Sequence, residues 1–302
     1  MVVGGAGFIG SHLVDRLLAE RHAVEVVDDL SSGTLANLAA ARSAGGELKI
    51  HHLDVCTVDF LTLVAMRRPD VIIDLAWAPP GRREAGDLAR GLHGTLNILE
   101  AARQHGASKV VTTLPAAALY GEVPPRELPV KEGRPWEPVG ALGVVARAIA
   151  ELYAVYRTRY EVEFTALAMT SVYGPRQRPD GGVVAALCAA RTRGEVPVLH
   201  GDGRQSRDLL YVDDAVDAVV RATQRGSGLV VNIGTGVLTP TRELWHAIAG
   251  PDAPAAISTP TGSDDIARFA VAATRARIHL SWASWTDVQA GLRALDRAAS
   301  TS

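Results

Sequence analysis

A glycine-rich loop near the amino terminus constrains the fold of this chain more than any other feature. Gly4, Gly7 and Gly10 directly follow the short apolar run Met1–Val3, and a segment with leucines at helical spacing extends from Phe8 to Glu20. Glycines at this spacing between a strand and a helix let the backbone turn tightly and approach a pyrophosphate, and the helix amino terminus offers free N–H groups. The sequence therefore predicts a βαβ unit that binds a dinucleotide.

A pair of carboxylates follows the second predicted strand. Ala23–Val27 is rich in valine, and Asp28 and Asp29 come directly after it. A carboxylate at this point accepts hydrogen bonds from the adenosine ribose hydroxyls and repels a 2′-phosphate. Asp28 therefore favours NAD(H). Because Ser31 and Ser32 are able to donate hydrogen bonds to a phosphate, the cofactor predicted from this segment is NAD(P)H.

The rest of the first half alternates short β-branched runs with longer amphipathic segments. This alternation is typical of βαβ units, whose helices cover both faces of a parallel sheet. We expect an α/β fold, a Rossmann doubly wound parallel sheet with a smaller C-terminal substrate lobe. Residues 1–168 form the predicted Rossmann domain, which is completed by about 205–236, and residues 169–204 and 237–302 form the predicted substrate-binding lobe. Further strands are predicted at 48–52, 71–75, 109–113, 164–168 and 229–233, and helices at 92–104 and 144–159.

Composition excludes several classes of protein. The chain has 302 residues, 47% of them apolar, and a formal net charge of −2, which argues against disorder and against a nucleic-acid partner. It contains no apolar stretch of the roughly 18 residues that a membrane span requires. Cys56 and Cys188 lie far apart without neighbours at metal-ligand spacing, which indicates a reducing compartment and no metal. We expect a cytoplasmic protein with a small-molecule substrate and no membrane partner.

Several motifs, taken in order, resemble those of the NAD-dependent epimerase/dehydratase family, the extended short-chain dehydrogenases. Residues 26–33 resemble the family's ribose-binding segment, Asp54-Val55 its adenine contact, and residues 74–77 the strand end that lies against the cofactor. The resemblance implies a site for NAD(P)H and a possible homodimer. The implied cofactor-binding residues are Gly4, Gly7, Phe8, Ile9, Gly10, Asp28, Asp29, Ser31, Ser32, Asp54, Val55, Leu75, Ala76 and Trp77.

The residues that run the family's chemistry are replaced in this chain. Members of the family use a serine or threonine, a tyrosine, and a lysine four residues after the tyrosine. The pair Tyr120-Gly121 places Ala116 at the serine position, and the context 138–141 places Val139 at the tyrosine and Gly143 at the lysine. None of these three side chains can transfer a proton.

A second alignment of the same segment does not restore the motif. It places Gly143 at the tyrosine and Arg147 at the lysine, so it also lacks the phenol. The chain has no tyrosine between Tyr120 and Tyr153 and no lysine after Lys131. The residues predicted to bind the adenosine half of the cofactor are therefore present, whereas the residues of the reacting half are replaced.

The missing groups favour one direction of hydride transfer. Oxidation of a sugar hydroxyl requires a base, whereas reduction of a ketone by a positioned cofactor can take its proton from water or from a neighbouring substrate hydroxyl. The sequence also resembles atypical, triad-less ketoreductases of angucyclinone antibiotic pathways. That resemblance implies an aromatic polyketide substrate. We therefore expect an NAD(P)H-dependent ketoreductase, with Tyr120 as a weak candidate for the acid.

Two alternative functions stay open. In the first, the chain binds a dinucleotide without catalysing a reaction. In the second, it is a nucleotide-sugar enzyme of the epimerase or dehydratase type with relocated acid and base groups. Arg207 and Asp208 support the second alternative, because they match family residues that contact substrate phosphates and brace the lobe.

Overall fold

A seven-stranded parallel sheet forms the centre of the computed structural model, which describes residues 1–77, 84–201, 203–260 and 266–300. The strands of this sheet are β1 Val2–Val3, β2 Val24–Asp28, β3 Leu48–His52, β4 Val71–Asp74, β5 Lys109–Pro115, β6 Phe164–Met169 and β10 Leu229–Ile233. Their order is β10-β6-β5-β4-β1-β2-β3, and every pair is parallel. The chain runs outward in one direction from β1 to β3 and in the other from β4. This reversal opens a crevice at the carboxyl ends of β1 and β4, where such sheets bind ligands.

Helices cover both faces of the sheet. They are α1 Phe8–Ala19, α2 Ala39–Ser43, α3 Val58–Arg67, α4 Ala85–His105, α5 Ala116–Tyr120, α6 Gly140–Tyr160, α7 Val183–Arg193, α8 Val212–Gln224, α9 Thr241–Ala249 and α10 Val288–Ser300. Single turns of 3₁₀-helix at Leu35–Leu38 and Pro125–Glu127 and a π-helical turn at Ala276–Leu280 complete the described helices. Helices α1 and α8 pack together on one face, and α3, α4 and α6 pack on the other. The predicted doubly wound α/β fold is confirmed.

Two apolar clusters, one on each face, form the core. On the first face Leu13 of α1 and Val219 of α8 are fully buried, and on the second face Ile98 of α4 and Ile149 of α6 are fully buried. Burial of such side chains stabilises a fold by about 1.5 to 3 kcal/mol each. The helices therefore hold the ends of the strands, and the loops that follow them, in fixed positions.

Smaller sheets follow later in the chain. Strands β7 Ser171–Tyr173, β9 Ser206–Tyr211, β11 Leu238–Pro240 and β13 Arg268–Phe269 form a four-stranded sheet around β9, and β8 Val198–His200 pairs with β12 Ile257–Thr259. The predicted division of the chain at residues 168 and 169 stays a prediction. In the part of the chain that the structure describes, no helix is both long enough and apolar enough to cross a membrane.

Candidate active site

The glycine loop joins β1 to α1 at the crevice of the sheet. Gly4 has a φ of +78°, and its N–H donates to the carbonyl of Val27 on the neighbouring strand at 2.8 Å. A Cβ atom on Gly10 would overlap the carbonyl oxygen of Gly4, so only glycine lets α1 begin this close to the loop. Gly7 precedes α1 and supplies no capping side chain. The first N–H groups of the helix are therefore available to an anion.

Asp28 braces this loop from the end of β2. Its carboxylate accepts a hydrogen bond from the N–H of Ala6 at 2.8 Å and another from the N–H of Leu30 at 2.9 Å. Burial raises the pKa of Asp28, although both of these hydrogen bonds oppose that shift. Each carboxylate oxygen keeps a second lone pair, so Asp28 can accept a further hydrogen bond from a ligand hydroxyl.

Asp54 and Arg90 form the opposite wall. Asp54 accepts a hydrogen bond from the N–H of Cys56 at 2.9 Å and one from the Arg90 guanidinium at 2.9 Å. Partial burial would raise the pKa of Asp54, but these two interactions lower it. Arg90 also lies 3.4 Å from the carboxylate of Asp29. Arg90 was not expected from the sequence, because it belongs to α4 and is far in the chain from the motifs that it contacts.

All of the predicted cofactor-binding residues line one cavity of about 290 Å³, which we call the first cavity. The residues brought together are Gly4, Gly7, Phe8, Ile9, Gly10, Asp28, Asp29, Ser31, Ser32, Asp54, Val55, Leu75, Ala76 and Trp77. Further lining residues that the motifs did not indicate include Asn37, Arg90, Arg176 and Arg178. A glycine cradle at a helix start, with a carboxylate at the end of β2, fits the pyrophosphate and the adenosine ribose of a dinucleotide.

A second cavity of about 390 Å³ adjoins the first. The two cavities share the residues Phe8, Ile9, Leu75, Trp77, Thr113 and Gln177, which we call the shared wall. The indole N–H of Trp77 donates to the carbonyl of Thr113 at 2.6 Å and so ties the wall together. Beyond the shared wall the second cavity is lined mainly by apolar side chains, with Thr170, Ser171 and Tyr173 among the polar ones. A reacting atom of a substrate would meet the cofactor at the shared wall.

Helix α6 presents a different residue to this cavity than either alignment predicts. Val139 precedes α6 and donates its N–H to the carbonyl of Ala118 at 3.0 Å, and a Cβ atom on Gly143 would overlap the same carbonyl oxygen. Both residues therefore pack on α5. Arg147, the lysine position of the second alignment, is exposed and pairs with Glu151 at 2.8 Å. The residue of α6 that lines the second cavity is Leu142, which carries no proton-transferring group.

Ala116 and Tyr120 lie away from both cavities. Each is fully buried in an apolar cluster that includes Phe269. The Tyr120 hydroxyl donates to Oδ1 of Asn232 at 3.0 Å, and the amide of Asn232 donates to the carbonyl of Val130 at 3.1 Å. Burial raises the pKa of the Tyr120 phenol. Within the described part of the chain, the Tyr120 hydroxyl thus bonds to Asn232 and Tyr120 lines neither cavity, which supports a structural role.

Few polar groups of the second cavity are placed for proton transfer. Thr113 carries the only hydroxyl group of the shared wall. The hydroxyl of Tyr173 donates to the carbonyl of Val288 at 3.5 Å, and burial raises its pKa. Asp180 pairs with Arg178 at 3.0 Å near the surface. Within the described residues, the shared wall thus has a threonine hydroxyl and an amide but no side chain that titrates near neutral pH.

Asp74 is a buried carboxyl group in the first cavity. It lies at the end of β4 and accepts hydrogen bonds from the N–H of Ala76 at 3.2 Å and from the hydroxyl of Thr95 at 3.3 Å. Burial raises its pKa to about 6, against these two hydrogen bonds. The carboxyl group is therefore close to half-protonated at mildly acidic pH.

Asp208 and Arg207, which supported the nucleotide-sugar alternative, make different contacts. Asp208 is buried and accepts hydrogen bonds from the N–H and hydroxyl of Thr235, at 2.9 and 2.6 Å, and from the N–H of Gly236 at 2.9 Å. It therefore braces the segment after β10. The Arg207 guanidinium reaches the carbonyls of Ser206 and Ala267, at 3.2 and 3.4 Å, and lines neither cavity.

Known proteins similar to this chain are nucleotide-sugar enzymes. A UDP-glucose 4-epimerase of Mycolicibacterium smegmatis is 41% identical over 296 residues, which cover 93% of this chain and 92% of the relative. The crystal structure of UDP-glucose 4-epimerase from Thermotoga maritima with UDP-glucose has a TM-score of 0.92 and 30% identity, and covers 99% of this chain and 98% of its own. The Thermus thermophilus UDP-glucose 4-epimerase in complex with NAD has a TM-score of 0.88 and 29% identity, with coverages of 97% and 96%.

These relatives correct two expectations. The prediction of a ketoreductase that acts on an aromatic polyketide is wrong, because similar proteins include UDP-glucose 4-epimerases, one of them solved with UDP-glucose. The alternative of a nucleotide-sugar enzyme agrees better with them. The resemblance to angucyclinone ketoreductases finds no support among them either, whereas the resemblance to the wider family does.

A family model matches most of the length of this chain and so establishes its family. The model of the NAD dependent epimerase/dehydratase family matches residues 1–234, which include the glycine loop, the carboxylate pair and both cavities' shared wall. The family's enzymes carry out NAD-dependent oxidoreductase-type chemistry, and solved structures similar to this chain contain NAD. This chain belongs to the NAD dependent epimerase/dehydratase family.

Proposed function

We propose that this protein binds NAD(H) in the first cavity and a UDP-sugar in the second, and acts on the sugar as a 4-epimerase-type enzyme. One observation carries the proposal. All of the predicted cofactor-binding residues line one cavity, and this cavity adjoins a second one, in a chain 41% identical to a UDP-glucose 4-epimerase over 93% of its length. NAD, when bound, accepts a hydride from the sugar and returns it.

The residues of the first cavity would hold the cofactor. The amino terminus of α1 and the loop around Gly7 would bind the pyrophosphate, and Asp28 would accept hydrogen bonds from the adenosine ribose. The shared wall, in which Trp77 is fixed to the carbonyl of Thr113, would contact the reacting end of the cofactor, because it borders both cavities.

Proton transfer would be the slow part of the reaction. Thr113 has the only hydroxyl group of the shared wall, and a threonine hydroxyl passes a proton on but does not act as a base at neutral pH. A positioned general acid or base contributes about 10²- to 10⁴-fold to a rate. We therefore propose slow turnover, with the hydroxyl proton of the sugar passing through Thr113 to water as the sugar is oxidised and a proton returning by the same route when the keto sugar is reduced.

The test is interconversion of UDP-glucose and UDP-galactose by the protein with NAD, followed by chromatography over hours. We expect product formation that Thr113→Val reduces at least about ten-fold and that Thr170→Val, a matched change in the second cavity, reduces less. A product level no higher than that of a variant with a blocked glycine loop, Gly10→Ala, would contradict the epimerase proposal.

A second candidate function rests on the same cavity. Ala116, Val139 and Gly143 occupy the positions of the family's serine, tyrosine and lysine, which favours a protein that binds NAD(H) and a UDP-sugar without turnover. Fluorescence of bound NADH separates the two functions. A binding protein retains NADH unchanged with UDP-4-keto sugar, whereas an enzyme oxidises it in a single turnover.

A further inference from the structure

Arg90 bridges two carboxylates at one end of the first cavity. Its Nη2 atom lies 2.9 Å from Oδ2 of Asp54 and 3.4 Å from Oδ2 of Asp29, and all three residues line the cavity. Asp29 follows Asp28 at the end of β2, where the adenosine ribose binds if the proposed function holds. A cation therefore stands within hydrogen-bond reach of a carboxylate beside the ribose 2′ position.

Close packing of α4 sets the position of Arg90. A Cβ atom on Gly91 would overlap the carbonyl oxygen of Trp77, and one on Gly94 would lie 2.7 Å from Cγ1 of Val55. The carbonyl of Arg90 itself accepts a contact from the Cys56 thiol at 3.3 Å. The backbone of Arg90 is thus fixed by its neighbours, although its side chain is 53% exposed.

The other arginines that line the cavity are paired elsewhere. Arg176 lies 2.8 Å from Asp15, and Arg178 lies 3.0 Å from Asp180. Among the described residues that line the cavity, Arg90 is therefore the cation beside the carboxylates that follow β2.

The net charge at this end of the cavity decides whether an adenosine ribose with or without a 2′-phosphate binds more tightly. Asp28, Asp29 and Asp54 bring three carboxylates to this end of the cavity, against the single guanidinium of Arg90. The excess negative charge disfavours a 2′-phosphate, which carries about −1.5 to −2 near neutral pH. We propose that Arg90 determines selectivity for the ribose 2′ substituent. While the Arg90 guanidinium is shared between Asp29 and Asp54, the site stays selective for NAD(H). When NADP(H) binds, Arg90 is the group that holds the 2′-phosphate.

Binding of NADH and NADPH, followed by cofactor fluorescence, tests this role. We expect the unaltered protein to bind NADH more tightly than NADPH. Arg90→Gln should weaken NADPH binding by about ten-fold and NADH binding by at most about two-fold, since only NADPH loses a charge-assisted hydrogen bond. Asp29→Asn should shift the preference in the opposite direction, because it removes one negative charge and releases Arg90.

Two further variants serve as controls. Arg90→Lys keeps the cation and should retain most of the NADPH affinity that Arg90→Gln loses. Arg103→Gln removes another partly exposed arginine of α4, one that pairs with Glu100 at 2.8 Å outside the cavity, and should change neither affinity.

The results separate this role from the proposed function. If Arg90→Gln changed both affinities equally, the role of Arg90 in selectivity would be overturned while cofactor binding stood. If the unaltered protein failed to bind NADH at all, the proposed function would be overturned, and the selectivity proposal with it.

Discussion

The hydroxyl group of Tyr120 makes a buried hydrogen bond away from both cavities. Its buried hydroxyl donates to Asn232 at 3.0 Å, and it lines neither cavity. We expect Tyr120→Phe to lower the free energy of unfolding by about 1 to 3 kcal/mol, because a buried amide oxygen loses its donor. Urea denaturation measures this loss. Unchanged stability together with slower turnover would instead indicate that the phenol takes part in the reaction.

Asp74 predicts a dependence of stability on pH. Burial raises its pKa from 3.8 to about 6, so the folded protein binds this proton more tightly than the unfolded chain does. The contribution to stability is therefore fully present below about pH 4 and is lost as the pH rises through about 6. This rise in pKa corresponds to about 3 kcal/mol. Asp74→Asn should flatten this part of the curve of unfolding free energy against pH.

A matched change at the surface checks that assignment. Asp59 is an exposed carboxylate in the first turn of α3, and Asp59→Asn should keep the decline between pH 4 and 7. If Asp74→Asn declined as steeply as the unaltered protein, some other group would be responsible.

At the scale of elements, α4 offers two glycines with opposite surroundings. A Cβ atom on Gly91 would overlap the carbonyl oxygen of Trp77, whereas one on Gly86 meets no atom of the described residues within 4 Å. We expect Gly91→Ala to push α4 away from the first cavity, to destabilise the fold and to weaken NADH binding. Gly86→Ala should stabilise the protein by about 0.5 to 1 kcal/mol through helix propensity alone. Thermal unfolding and NADH titration of both variants measure the contrast, and similar effects of the two changes would refute it.

The dinucleotide half of the site could be predicted because its signals are local. The glycine loop and Asp28 lie within one βαβ unit, so their spacing in the sequence already determines their spacing in the fold. Helix α4 shows where local signals fail. It begins at Ala85, earlier than the predicted start at residue 92, because glycines at 86 and 91 weaken the helical pattern. Arg90 therefore lay outside the predicted helix.

The orientation of α6 could not be predicted from either alignment. Which of its residues faces the second cavity depends on what its other side packs against. Gly143 and Val139 both contact the carbonyl of Ala118 on α5, and this contact turns Leu142 toward the cavity. Nothing in the sequence of α6 itself encodes that tertiary contact.

At the scale of the whole molecule, the missing acid and base were a poor guide to the substrate. Loss of such a group slows a reaction by about 10²- to 10⁴-fold but leaves the shape of the binding site unchanged. The prediction of ketone reduction was drawn from what the site lacks, whereas under the proposed function the substrate is selected by the whole surface of the second cavity. That surface is assembled from β5, β6, β7, α6 and α7, which are far apart in the chain.

The shared wall predicts that the two ligands bind with positive coupling. Trp77 is buried and fixed to the carbonyl of Thr113, so a cofactor and a sugar that both contact this wall would limit each other's positions. We expect NADH to lower the Kd of UDP-glucose at least about five-fold, and UDP-glucose to lower the Kd of NADH by the same factor, as linkage requires. Titration calorimetry measures both. Leu142→Ala, which alters the second cavity alone, should weaken UDP-glucose binding and leave NADH binding to the free protein unchanged. Ligands that bound independently would show that the cavities do not form one site.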